Sequence, residues 1–251
     1  FDSLPAPRPT GRADTGTTVL RSLAAYNNSS NPCFAGDCTV LMADNTVMRL
    51  DRLRKGHVVW TVQGHGTVRC ILRTRCENGV ARLVCFGNGL RVTEYHPISN
   101  PRSASNACNE DSWVHPCALR KATNVRCPMV YSILLDSGHT MMINDTTVIC
   151  LGHGRTEGVL DHWFYGTNKV VEFLQSCPGW TDGLIDLGPE CVERNDQGEF
   201  VALRMPTAEQ SRRNAALMLK VAIEENETSL GGFPETPGDM VQPISRAQRC
   251  A

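Results

Sequence analysis

Cys33-Phe34-Ala35-Gly36-Asp37-Cys38-Thr39-Val40-Leu41-Met42 is where the texture of the chain changes, and the stretch it opens decides the fold. From Cys33 to about Leu151, short β-branched runs alternate with turn dipeptides. The runs include Thr39-Val40-Leu41-Met42, Val47-Met48-Arg49-Leu50 and Val58-Val59-Trp60-Thr61-Val62; the turns include Asp44-Asn45, Asn78-Gly79 and Asn88-Gly89. Strands punctuated about every ten residues by left-handed turn formers predict an all-β region. Within it, Leu53-Arg54-Lys55-Gly56-His57-Val58 recurs as Leu119-Arg120-Lys121-Ala122-Thr123-Asn124-Val125, each copy leading into a strand-like segment. A repeat of this kind predicts a duplicated unit folded about a pseudo-twofold axis, with Leu53 over Leu119.

Outward from this core the composition shifts. Residues 1–32 are rich in Pro, Gly, Ser, Asn and Thr apart from Thr18 to Tyr26, and read as a linker or upstream flanking segment. Residues 153–204 carry the aromatic cluster Trp163-Phe164-Tyr165, a short helix from Lys169 to Gln175 closed by Pro178-Gly179, and weak strand signals around Asn195-Asp196-Gln197-Gly198. An amphipathic helix is predicted over 205–227: Thr207 and Gln210 form a capping box after Pro206, and Ala215, Met218, Leu219, Ala222 and Ile223 share one face. Residues 228–251, rich in Gly, Pro, Glu and Ser, read as a mobile tail. A start at Phe1 with no leader-like segment suggests part of a longer chain or a processed product.

The 251 residues are 41% apolar and 20% charged, enough apolar surface for a sizeable core. With 25 basic against 26 acidic residues the net charge is −1, which removes the electrostatic argument for a nucleic-acid or anionic-membrane partner. No apolar run is long enough to span a membrane. The 12 cysteines contain no Cys-x-x-Cys pair, so neither a zinc ribbon nor any other metal or cofactor is expected. Their low density points to a reducing, cytoplasmic compartment; their even number and the sequons at Asn27, Asn28, Asn144 and Asn226 leave secretion open.

Chemistry concentrates in an ordered series: Cys33 at the opening of the β region, Thr93-Glu94-Tyr95-His96, Leu119-Arg120-Lys121, and a tyrosine-led strand from Val130 to His139, before Val148-Ile149-Cys150. A cysteine opening the fold, a Thr-x-x-His, a Leu-Arg-Lys before a strand and a tyrosine-led strand reaching a histidine resemble the Hint (Hedgehog/intein) family of self-processing domains. The continuation through Leu151-Gly152-His153-Gly154, His162-Trp163-Phe164-Tyr165 and Pro178-Gly179-Trp180 resembles its Vint subgroup, the Hint domains attached to von Willebrand factor A proteins. The resemblance implies a pseudo-twofold, horseshoe-shaped, mainly β Hint core over 33–152, a Vint-type extension over 153–204, and one or two C-terminal α-helices. It also implies that Cys33 is buried near the centre.

It further implies the chemistry. Cys33 would attack the carbonyl of Pro32 in an N–S acyl shift, giving a thioester, with its nucleophilicity dependent on a base or electropositive setting that lowers its pKa. Thr93 would orient or polarise the scissile peptide, and His96, titrating near neutrality, would protonate the departing amine. His139, Cys70 and Cys150 are accessory candidates, with plain structural alternatives in a hairpin turn for His139 and the core for Cys70. His153 and His162 read as structural. The partner implied is the chain's own N-terminal segment in cis, with a von Willebrand factor A domain upstream. Inteins end in His-Asn, whereas Ile149-Cys150 stands in that place here, so N-terminal cleavage or acyl transfer is expected rather than full splicing. Pro32 restricts the acyl carbonyl. An inactive Hint scaffold that binds a protein partner is the alternative of a different class.

Overall fold

The computed structural model describes residues 32–101, 113–196, 200–213 and 216. The chain divides into two compact units, 1–215 and 216–251, and the first contains the β-sheets. The linker reading of residues 1–31, the apolar helical stripe beyond Ala215 and the tail lie outside the described residues.

Strands dominate. In chain order they are β1 (Phe34–Ala35), β2 (Thr39–Leu41), β3 (Val47–Arg49), β4 (Val58–Thr61), β5 (Gly64–Arg75), β6 (Val80–Cys85), β7 (Arg91–Thr93) and β8 (Ile98–Ser99). They continue with β9 (Trp113–Val114), β10 (Thr123–Arg126), β11 (Met129–Leu135), β12 (Thr140–Ile143), β13 (Thr146–Ile149), β14 (Leu184–Leu187), β15 (Val192–Arg194) and β16 (Phe200–Leu203). Helices α1 (Pro116–Leu119) and α2 (Asn168–Ser176) interrupt them. The turns fall where the dipeptides stand. Asn45 and Gly89 take φ of 64° and 88°, the left-handed backbone that reverses β2 into β3 and β6 into β7, and Asn78, at φ 53°, sits in the 3-10 turn that links β5 to β6 without pairing them.

One sheet runs β10-β6-β7-β1-β11-β5-β14, with β4 on the first residues of β5; a second runs β3-β2-β12-β13-β8-β9. The Leu-Arg-Lys repeat has a structural counterpart. A 3-10 turn at Leu50–Arg52 leads through Leu53 to the short strand β4 and the long strand β5. Likewise α1 leads through Leu119 to the short β10 and the long β11. The two long strands pair antiparallel with Ile71 opposite Ile133, the relation a twofold axis between halves requires. Leu53 is fully buried; Leu119 is only half-buried.

The extension is not a separate layer. β14 adds to β5 in parallel register, Leu184 beside Ile71. Its side chains Ile185 and Leu187 join Cys70, Leu72, Leu134, Phe164, Tyr165, Val170 and Leu174 in one core. The predicted helix is α2, capped by Thr167, whose Oγ1 accepts from Lys169 N–H. The strand signals around 195 resolve into the hairpin β15–β16. The capping box forms: Thr207 N–H donates to Gln210 Oε1 at 2.7 Å, and Gln210 N–H to Thr207 Oγ1 at 3.2 Å. Among the described residues no helix is long and apolar enough to cross a membrane.

Candidate active site

β1 lies in the middle of the larger sheet because Phe34 and Ala35 are buried on both sides, Phe34 opposite Val92 of β7 and Tyr131 of β11. Cys33, one residue earlier, therefore enters the interior fully buried, with Thr93 on one flank and Ser132 on the other. Cys33 N–H donates to Thr93 Oγ1 at 3.0 Å, and Thr93 N–H donates to the Cys33 carbonyl at 2.9 Å. Ser132 Oγ lies 3.1 Å from Cys33 Sγ and donates to the Pro32 carbonyl at 2.5 Å. A serine hydroxyl has one proton; with that proton on Pro32, the thiol must be the donor in the sulfur contact. Both atoms of the Pro32–Cys33 peptide that change in a cleavage, the carbonyl oxygen and the nitrogen, are thus held by hydroxyls.

β7 ends at Thr93 in one sheet and β8 begins at Ile98 in the other, so the Thr93–His96 turn is the crossover between sheets. That turn, closed by His96 N–H to the Thr93 carbonyl at 3.3 Å, sets the His96 ring on Phe34, centroids 4.1 Å apart. His96 Nε2 sits 2.7 Å from the Ile149 carbonyl, which can only accept, so Nε2 carries the proton and Nδ1 is a bare lone pair. Nδ1 is buried without a hydrogen-bond partner, although the Pro32 carbonyl is close enough to act on the ring. Burial lowers the His96 pKa to about 4, against the pull of the Ile149 and Pro32 carbonyls, with His115 adding repulsion. The ring is neutral at pH 7 and not, as the sequence suggested, titrating near it. No direct hydrogen bond joins it to Cys33 among the described residues.

The thiol also departs from expectation. Burial pushes the Cys33 pKa up to about 12, Ser132 draws it down and Cys127 raises it; among the described residues no cation contributes. The same burial keeps the nucleophile protonated.

The accessory candidates are placed as follows. Cys150, directly after β13, is buried, its thiol pKa raised by burial alone, and its N–H donates to the His139 carbonyl at 2.9 Å. His139 occupies the turn between β11 and β12 at φ 45°, its pKa lowered by burial; the turn is not the expected hairpin, because β11 and β12 belong to different sheets. Cys70 is in the core shared with the extension, its pKa pushed up to about 12 by burial. Pro32, His96 and Cys150 line a small cavity of about 30 Å³ together with His115, His153 and His162. Each of these four imidazoles has its pKa lowered to about 4, first by burial. No group of His, Cys, Asp and Glu among the described residues is arranged to hold a metal ion.

Two features of the site are not apparent from motif order. His153 and His162, read as structural, line the same cavity as the candidate scissile residue. Ser132 is hidden inside a strand, yet a signal exists: it is the one hydroxyl-bearing aliphatic side chain in Met129–Leu135, all seven of whose residues are buried. A buried polar group in an apolar run needs a partner.

The sequence matches the family described as Vint, a Hint-domain, over residues 32–202, most of the chain. No curated protein matches it. Among solved structures it is similar to the gp41-1 intein, at 10% identity and a TM-score of 0.36, over 48% of this chain and 99% of that one. It is also similar to a DnaB intein from Synechocystis sp. PCC 6803, at 13% identity and a TM-score of 0.37, over 48% and 99%. A bacterial intein-like domain from Clostridium thermocellum is similar at 15% identity and a TM-score of 0.37, over 48% and 99%. With a mainly β core opened by Cys33 and a family match from Pro32 through the extension, the chain belongs to the Vint family of Hint self-processing domains.

Proposed function

We propose that this domain cleaves its own chain at Pro32–Cys33, starting with an N–S acyl shift, and does not splice. One arrangement carries the reading: Ser132 Oγ bridges Cys33 Sγ and the Pro32 carbonyl while Thr93 Oγ1 accepts from the Cys33 N–H. In the shift a sulfur–carbon bond forms, the carbon–nitrogen bond breaks, and the thiol proton ends on the Cys33 nitrogen. The Ser132 hydroxyl holds the oxygen on which negative charge develops, a contact that strengthens as the carbonyl becomes tetrahedral. Thr93 fixes the nitrogen.

With a pKa of about 12, only roughly one thiol in 10⁵ is ionised at pH 7, so the proton must leave during attack. His96, neutral with Nδ1 bare, is suited to take the proton and return it to the leaving nitrogen. Histidine thus acts first as a base and only then as an acid. With Ile149-Cys150 at the end of β13, no asparagine stands ready to cut a second bond, and cleavage stops at one site.

The protonated thiol and the Pro32 ring favour a second reading, a Hint scaffold in which the reaction is silent. Hydroxylamine distinguishes the two. Trapping should release residues 1–32 from the wild-type chain, faster from Pro32→Gly, not at all from Cys33→Ala, and roughly 10²–10⁴-fold more slowly from His96→Ala. If Pro32→Gly stays at full length in hydroxylamine while circular dichroism shows it folded, the scaffold reading replaces cleavage.

A further inference from the structure

A thioester at Pro32 needs an acceptor, and the cavity beside it limits what that acceptor is. Pro32, His96, Cys150 and the rings of His115, His153 and His162 line about 30 Å³, room for one or two waters. The histidines are not equivalent. His153 Nδ1 accepts from Arg155 N–H at 3.1 Å, and His162 Nδ1 accepts from the N–H groups of Phe164 and Tyr165, each at 3.1 Å. In those two neutral rings the acceptor nitrogen is already engaged. His96 is turned the other way, its Nε2–H spent on Ile149 and its buried Nδ1 lone pair unpartnered. A buried acceptor without a partner, on the wall of a water-sized cavity that also touches the scissile residue, is a place for a water.

We infer that the acceptor is water, held in this cavity on His96 Nδ1, so that the domain is a self-hydrolase whose N-terminal product ends in a free Pro32 carboxylate. This rests on the thioester reading of the site. Water oxygen bonds to the Pro32 carbonyl carbon, its proton passes to His96 Nδ1, the carbon–sulfur bond breaks, and the proton returns to Cys33 Sγ. Thioester and water give carboxylic acid and thiol, with no other reactant. Cys150 borders the same space, but its buried thiol has no hydrogen-bonded base beside it among the described residues.

The test uses the full chain in heavy-oxygen water without added thiol or amine. Wild type or Pro32→Gly should release a 1–32 fragment carrying one heavy oxygen on the carboxylate of residue 32. Val159→Phe, which fills the cavity from one wall, should lose this release. Unfolding that variant in acid before adding hydroxylamine should still reveal the thioester, because access no longer depends on the cavity. Fragments that stay attached through a thioester at Cys150, or that leave only as adducts of an added nucleophile, would overturn water as acceptor and leave the acyl shift standing. Absence of any hydroxylamine-sensitive bond after unfolding would overturn both; undiminished release by a folded Val159→Phe would overturn the cavity water and leave the acyl shift standing.

Discussion

At the scale of single residues, the site depends on hydroxyls more than on charge. Ser132 is the side chain in contact with both sulfur and carbonyl oxygen, and among the described residues no Lys, Arg or Asp takes that place. Replacing Ser132 with Ala should slow hydroxylamine-dependent release by roughly 10²–10³-fold, the loss seen when one oxyanion donor is removed. Ser132→Cys, a poorer donor of similar shape, should fall between. Equal rates for all three proteins, each folded by circular dichroism, would remove Ser132 from the reaction. Cys33, Thr93 and His96 are legible in the sequence because their order along the chain is distinctive. Ser132 is not, because a serine in a strand is common and only its burial among apolar neighbours makes it unusual. The protonation states are hidden for the same reason: burial lowers an imidazole pKa and raises a thiol pKa, and sequence does not show depth.

At the scale of elements, local signals are readable where the backbone itself dictates the answer. Asn-Gly and Asp-Asn steps mark reversals because they tolerate positive φ, and Thr207 with Gln210 marks a helix start because the two satisfy each other's amides. β14 is invisible as a sheet member: Leu184–Leu187 is short, and its parallel partner β5 lies over a hundred residues earlier, set by tertiary packing. α2 gives the extension a fixed edge. Its cap Thr167 donates its hydroxyl to the carbonyls of Trp163 and Phe164, at 3.0 and 3.2 Å, while accepting from Lys169 N–H at 3.3 Å. The segment it ties down carries His162 and Tyr165, two walls of the cavity. Thr167→Ala should cost about 1 kcal/mol in urea unfolding. Thr167→Ser should recover most of it, and an unchanged midpoint for Thr167→Ala would mean the cap contributes nothing.

At the scale of the whole described unit, the Hint core and the extension meet around imidazoles that are all held neutral, and this makes the fold sensitive to acid. His96, His115, His153 and His162 have folded-state pKa values of about 4 against an ordinary 6.5. The carboxylates nearest this region do not offset the effect: Glu157 favours the charged form of His153, but Arg155 opposes it more strongly. Below pH 6.5 the unfolded chain takes up protons that the folded chain refuses, so stability falls as pH drops from about 6.5 to about 4 and levels off beneath that. For His96, fully buried, the loss is about 3 kcal/mol across the window. The other three add in the same direction, less by as much as solvent reaches them. Urea titrations at pH 7, 6, 5 and 4.5 should show a decline steeper than one proton accounts for. His96→Gln, which has nothing to protonate at this pH, should lower that slope by about one proton while circular dichroism at pH 7 is unchanged. A wild-type stability that is flat between pH 7 and 4.5 would mean these rings already take up protons in the folded state, and with that the neutral His96 on which the proposed water depends would go.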